Sequence, residues 1–94
     1  MRVRHHIEVR STCPVNGDAD LYQCFVYVRD RVLKCEDVAD AVADLTREPI
    51  FQESLTQALA NRLQAKVKTA GRHTAGNILT TVICEPKGGS ERCD

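Results

Sequence analysis

The chain has 94 residues, 43% of them hydrophobic, and its 13 basic side chains balance 13 acidic ones, a length that suits one domain whose limited burial a partner subunit would help. The charge balance holds along the chain, with seven basic against eight acidic residues up to Arg47 and six against five after it, so charge gives no support to a nucleic-acid or anionic-membrane partner. No apolar run approaches the roughly 20 residues of a membrane-spanning helix, and five cysteines without a Cys-x-x-Cys, behind a charged N-terminus, lead us to expect a reduced, cytoplasmic chain with no signal peptide.

Arg2 to Thr12 alternates, with Val3, Ile7 and Val9 against Arg4, Glu8 and Arg10, and reads as a half-buried strand. Cys13 stands at its end. Pro14 and the cluster Asn16-Gly17-Asp18 then reverse the chain, so that Asp20 opens a second strand beside Cys13. Leu21 to Leu33 is apolar on both faces, Tyr22, Cys24, Val26 and Val28 alternating with Leu21, Phe25 and Tyr27, which predicts a strand covered on both sides. Glu36 to Thr46 has helical spacing, with Val38, Val42 and Leu45 on one stripe and Asp37, Asp40 and Asp44 opposite. A second helix is expected from a first turn at Pro49, with Phe51, Leu55, Leu59 and Leu63 as its apolar stripe, to about Gln64–Lys66. Val67 to Arg72 and Asn77 to Cys84 alternate again, with Gly71 and Gly76 flanking a reversal at His73-Thr74-Ala75. The order is strand, strand, helix, helix, strand, strand.

This order gives an α+β fold, a four-stranded antiparallel sheet (ββααββ) with two helices on one face. The bare face should still carry apolar residues. With its unpaired edges, such a sheet is expected to associate with copies of itself, oligomerising into a β-barrel with active sites between subunits. The domain is placed at residues 1–86, and 87–94 as a frayed tail.

Chemistry concentrates at Cys13 and Asp20. A thiol attacks only as thiolate, and a nearby carboxyl could protonate whatever atom that attack leaves negative. The plainer reading is a buried structural cysteine before a polar turn. His5 and His6 are adjacent on a strand and face opposite ways, so they do not share a metal. Cys24, Cys35 and Cys84 read as strand or helix-start fillers, and Arg72 as a structural arginine or one reaching a phosphate or carboxylate.

Three stretches resemble the 7-cyano-7-deazaguanine (preQ0) reductases of queuosine synthesis, which belong to the tunnelling-fold (T-fold) superfamily. Cys13-Pro14-Val15-Asn16-Gly17-Asp18-Ala19-Asp20 is similar to their Cys-Pro-Val-Thr-Gly-Gln-Pro-Asp, with the cysteine-to-aspartate spacing kept. Ile50-Phe51-Gln52-Glu53 resembles Ile-Phe-His-Glu, and Gly71-Arg72-His73-Thr74 resembles Gly-Arg-Phe-Thr, so the likeness covers roughly residues 10 to 86. The resemblance implies the tunnelling fold and a catalytic pair. Cys13 would add to the substrate's nitrile carbon to give a thioimide, and Asp20 would move protons. Glu53 would hold the guanine-like edge, since one carboxylate accepts from a ring N–H and an exocyclic amine together. Gln52 and His73 complete the implied substrate-binding set. The plainer reading of Glu53 is a first-turn acid favoured by the helix dipole.

The departures carry as much weight. Where the reductases have the Glu-x-Lys-Ser-x-Lys-type segment credited with NADPH binding, this chain reads Leu33-Lys34-Cys35-Glu36-Asp37-Val38-Ala39-Asp40. Acids replace the lysines, so no cofactor is expected and NADPH lacks its motif. The family's histidine is Gln52 here. A shorter relative, the reductase-like archaeal amidinotransferase that makes archaeosine in transfer RNA, keeps the cysteine without that motif and resembles this chain better in size. GTP cyclohydrolase I has Gln-Glu-Arg-Leu-Thr, similar to Gln52-Glu53-Ser54-Leu55-Thr56, but binds zinc through a Cys-x-x-His that Cys13 does not begin, so no metal is expected. The resemblance thus implies a nitrile-capturing enzyme that forms an amidine. Its alternatives are an NADPH-dependent reductase and a non-catalytic purine- or pterin-binding module. The implied partners are a small 7-deazaguanine, purine or pterin and further copies of the chain, with no membrane.

Overall fold

A computed structural model describes residues 1–73 and 75–87. Its elements run β1 (Arg2–Thr12), β2 (Ala19–Arg29), α1 (Cys35–Leu45), α2 (Gln52–Leu63), β3 (Lys66–His73), a 3-10 turn at Ala75–Asn77, and β4 (Ile78–Cys84). The strands form one antiparallel sheet in the order β1-β2-β3-β4. The ββααββ order and the helix pair are as the periodicities predict. Residues 88–94, most of the expected frayed tail, and Thr74 lie outside the described residues.

The alternation decides which face the helices cover. Val9, Tyr22, Cys24, Val26, Val28 and Val67 are buried on one face and meet Val38 and Ala41 of α1 and Leu55, Leu59, Ala60 and Leu63 of α2. Removing those side chains from water, at about 25 cal/mol per Å² of apolar surface, is what holds the two layers together. Burial in this core pushes the Cys24 thiol up from its ordinary 9.0 to about 11. Outside the core, Asp44 accepts from Arg62 and from Arg47, at 2.7 Å each. The hydrogen bond from Arg62, more than any other contact, holds the Asp44 carboxyl below its usual value.

Several boundaries differ from expectation, each for a local reason. β2 stops at Arg29, four residues before Leu33, because Asp30 turns left-handed at φ 57° and its N–H bonds Met1 O. Arg31 then swings its guanidinium onto Leu63 O and Gln64 O at the end of α2, at 2.8 and 2.6 Å. α2 begins at Gln52, so Pro49 lies outside its first turn and Phe51 is its extended N-cap residue, half exposed. The cause is an anchor: Ile50 N–H donates to Thr12 O at 3.1 Å, pulling the interhelical segment onto the end of β1. The buried stripe of α2 is therefore Gln52, Leu55, Thr56, Leu59, Ala60 and Leu63. Gly71 lies inside β3 and does not flank the turn.

The second face of β2 has no helix over it. Phe25 is covered instead by His6, stacked at 4.4 Å, and by the cations of Arg4 and Lys68, 5.2 and 5.1 Å from its ring centre. The strand register puts Arg2, Arg4 and Arg10 of β1, Arg29 of β2, and Lys66, Lys68 and Arg72 of β3 on this open face, against Glu8 as the single carboxylate of its strands. The open face does carry apolar residues as expected, Leu21, Phe25, Tyr27, Leu79 and Ile83, but its cations were not foreseen. Neutral overall charge conceals a basic sheet face and acids on the helices, because alternation sorts charge across the sheet while composition averages it.

Candidate active site

The turn after β1 is built by backbone hydrogen bonds. Cys13 N–H donates to Asp18 O at 2.8 Å, Gly17 N–H returns to Cys13 O at 2.9 Å, and Asp18 N–H is taken by the Asn16 side chain at 2.9 Å. Gly17 holds φ 76°, which glycine reaches without a Cβ penalty. This closure leaves Cys13 half-buried, one residue past the Thr12–Ala19 pair, with Asp20 opposite Ser11 on the helix-covered face. Asp20 is buried and accepts from Tyr22 Oη at 3.2 Å.

Tyr22, which its alternation places only in the core, is the hub of this end of the sheet. Its phenol pKa is driven well above the usual tyrosine value, first by burial, then by the charge and hydrogen bond of Asp20, and further by Cys13 and Glu53. The phenol therefore stays neutral at every physiological pH, a donor to Asp20 within electrostatic reach of Cys13, on the turn after β1, and of Glu53 on α2. The parity of positions 20 and 22 on one strand face was the available signal. Tyr22 owes its place to Gly71: a Cβ there would lie 2.4 Å from Tyr22 Cδ1 and 2.8 Å from Leu21 O.

Gln52 and His73 meet directly. Gln52 Nε2 donates to Thr69 Oγ1 and Thr80 O, both at 3.1 Å, which turns Oε1 toward His73 Nε2 at 2.9 Å. The imidazole must then carry its proton on Nε2, leaving Nδ1 as an acceptor when neutral. A closed circuit supports the amide, since Thr56 Oγ1 donates to Gln52 O at 2.7 Å and is left to accept from Thr69 at 2.7 Å. Gln52 is 2% exposed with both ends of its amide engaged, so it holds His73 and does not itself present a free group. His73 lies on the helix-covered face with its ring 6.2 Å from that of Tyr22 in an edge contact.

Glu53, one residue into α2, is exposed and lines a shallow surface cavity of about 530 Å³ with Ser54, Gln57, Asn61 and Lys87. Cys13 and Asp20 line neither this cavity nor a second one at the opposite end of the sheet. Ser11, 3% exposed and opposite Asp20, has a hydroxyl without a partner among the described residues. His5 and His6 face opposite ways, His5 Nδ1 lying 3.9 Å from Cys35 Sγ and His6 bonding Gln23. Arg72 donates to Asn77 O at 3.2 Å, and Cys24 is a core filler. One end of the sheet thus gathers a thiol, a buried carboxylate, a neutral phenol, an imidazole with an oriented acceptor and an exposed carboxylate. Such a set can deliver a nucleophile, shuttle a proton and pair with an amidine-like edge.

No protein-family model matches the sequence, and no curated protein matches it. Among solved structures, the chain is similar to an archaeosine synthase described as QueF-Like, in its apo form, with a TM-score of 0.79 and 21% sequence identity over 95% of this chain and 96% of that one. The chain accordingly has the tunnelling fold, ββααββ with both helices on one face of a four-stranded antiparallel sheet.

Proposed function

We propose that this protein processes a 7-cyano-7-deazaguanine by capturing its nitrile on Cys13 and passing the thioimide to an amine, forming an amidine. The Cys13 sulfur bonds the nitrile carbon while one carbon–nitrogen π bond opens. The thiol proton moves to Asp20 and from there to the nitrile nitrogen. Ammonia or an equivalent amine then adds to the same carbon, the carbon–sulfur bond breaks, and Cys13 recovers its proton. Tyr22, neutral and bonded to Asp20, steadies that carboxylate in its charged form. Glu53 accepts from the guanine-like edge, and Gln52 positions His73 so that Nδ1 faces the ligand as an acceptor.

The observation that carries this reading is the geometry at the turn end of the sheet: within a tunnelling fold, Cys13 follows the Thr12–Ala19 pair, Asp20 accepts from Tyr22 Oη at 3.2 Å, and Gln52 holds His73 at 2.9 Å. The similarity to an archaeosine synthase supports the amidine outcome. The segment that aligns with the reductases' NADPH motif argues against that cofactor there. The first turn of α1 carries Glu36 and Asp37, exposed, with Asp40 following, and their charge repels a phosphorylated cofactor. Among the described residues both sheet edges, β1 and β4, are unpaired, and Ile78, Leu79 and Ile83 of β4 are exposed. Closure of several copies edge to edge would cover them and enclose the open site between subunits.

The test is product analysis by liquid chromatography and mass spectrometry after incubation with 7-cyano-7-deazaguanine and ammonium, with and without NADPH. The amidine, formed without NADPH and strongly reduced in Asp20→Asn, is the expected product. An aminomethyl product that requires NADPH would replace this reading with reduction. Binding without any product would leave a purine- or pterin-binding module.

A further inference from the structure

The strongest unexplained feature lies at the end of the sheet away from Cys13. A cavity of about 590 Å³ sits where β1 begins, β2 ends and β3 begins. Its walls carry Arg2, Arg4, Arg29, Arg31 and Lys66 around Tyr27, with Glu85 as the one carboxylate. A volume of this size lies within the range of small-ligand sites.

The cations are not placed as a structural network would place them. Arg47 and Arg62, on the helix layer, both pair with Asp44 at 2.7 Å. None of Arg2, Arg4, Arg29, Arg31 and Lys66 has a carboxylate partner among the described residues. Arg2 and Arg29 are instead direct cross-strand partners, an arrangement of like charges that weakens the sheet. Arg31 is held on the cavity wall by its bonds to Leu63 O and Gln64 O. Lys66 stands 5.6 Å over the Tyr27 ring, and Arg4 is its neighbour across β2.

We infer that this cavity is a site for a ligand carrying several phosphate charges, such as a polyphosphate or a phosphodiester strand. Guanidinium forks match phosphate oxygens bidentately, and a multiply charged anion relieves the Arg2–Arg29 repulsion that the bare protein carries. The cavity shares no residue with the Cys13 cluster, so the inference stands or falls independently of the proposed reaction.

Titration calorimetry of the full chain with inorganic tripolyphosphate, at low and fixed ionic strength, tests it. Two double variants are compared, Arg2→Gln with Arg29→Gln in the cavity, and Arg10→Gln with Arg72→Gln at the far end of the same face. Tripolyphosphate is expected to bind, about tenfold or more weaker in the first variant and unchanged in the second. The first variant should melt no lower than the parent, because it removes repulsion, so its loss of affinity is not unfolding. A short single-stranded RNA that competes with tripolyphosphate and shows the same variant dependence would identify a phosphodiester as the source of the phosphates; an RNA that does not compete would leave a free polyphosphate. No binding of either, or equal weakening in both variants, would overturn the inference and leave only a diffusely basic face.

Discussion

Replacing Gly71 by alanine is expected to destabilise the protein and to disturb its candidate site through a single side chain. The added methyl would lie 2.4 Å from Tyr22 Cδ1, 3.0 Å from Tyr22 Cε1 and 2.8 Å from Leu21 O. Neither neighbour yields easily, since Tyr22 is 2% exposed and Leu21 O belongs to the sheet backbone. Forcing a methyl into a packed interior costs about 1–3 kcal/mol. Against this, alanine restricts the unfolded chain and returns about 0.4–1 kcal/mol. The balance is a loss of about 1–2 kcal/mol, or roughly 4–16 °C in Tm for a domain of this size. Calorimetric melting at one fixed protein concentration reads the shift, because assembly of copies would make Tm depend on concentration. A double-mutant cycle with Tyr22→Ala isolates the cause, as the penalty at position 71 should shrink once the ring is gone. An unchanged Tm for Gly71→Ala, or the same penalty with and without the ring, would refute the close-contact argument.

Gln52→Leu should cost about 1–3 kcal/mol in urea unfolding, because Thr80 O and His73 Nε2 lose their shared partner inside the protein. Stability should fall as pH rises from 9 toward 11. Burial raises the Cys24 thiol from 9.0 to about 11, so the unfolded chain releases that proton first. The stabilisation is whole below pH 9 and about 2–3 kcal/mol smaller once the folded thiol titrates, since a tenfold difference in proton affinity is worth about 1.4 kcal/mol; Cys24→Val should flatten this part of the profile, and an unaltered slope would place its origin elsewhere. Tyr22→Phe keeps the ring and loses the bond to Asp20, so it should cost about 1 kcal/mol of stability and slow nitrile capture, measured as the rate of adduct formation.

Much of the fold was legible because the alternation in β1 and the four-residue spacing in α2 are strong signals of period two and 3.6. What escaped was set by contacts distant in sequence. Thr12 O fixes where α2 begins by capturing Ile50 N–H, and no local pattern around Pro49 reveals it. Gly71 reads as a turn residue from its neighbours, yet it is a gap for the Tyr22 ring across the β2–β3 ladder. At the site, the Cys13-to-Asp20 motif was visible as a motif, whereas the hub at Tyr22 needed the register that sets it beside Gly71 and His73. The resemblance of Ile50-Phe51-Gln52-Glu53 to Ile-Phe-His-Glu implies a substrate contact at Gln52. Only the paired strands show its amide spent on Thr69, Thr80 and His73. The basic face was invisible to composition, since the compensating acids sit on another layer.

Capture of the nitrile by Cys13 is best tested by intact-protein mass spectrometry after incubation with 7-cyano-7-deazaguanine in the absence of ammonia and NADPH, on the parent chain and on Cys13→Ala. A mass gain equal to one ligand, present in the parent and missing from Cys13→Ala, is the predicted result. Ligand binding that depends on Glu53 without any mass gain, or a gain that survives Cys13→Ala, would contradict it.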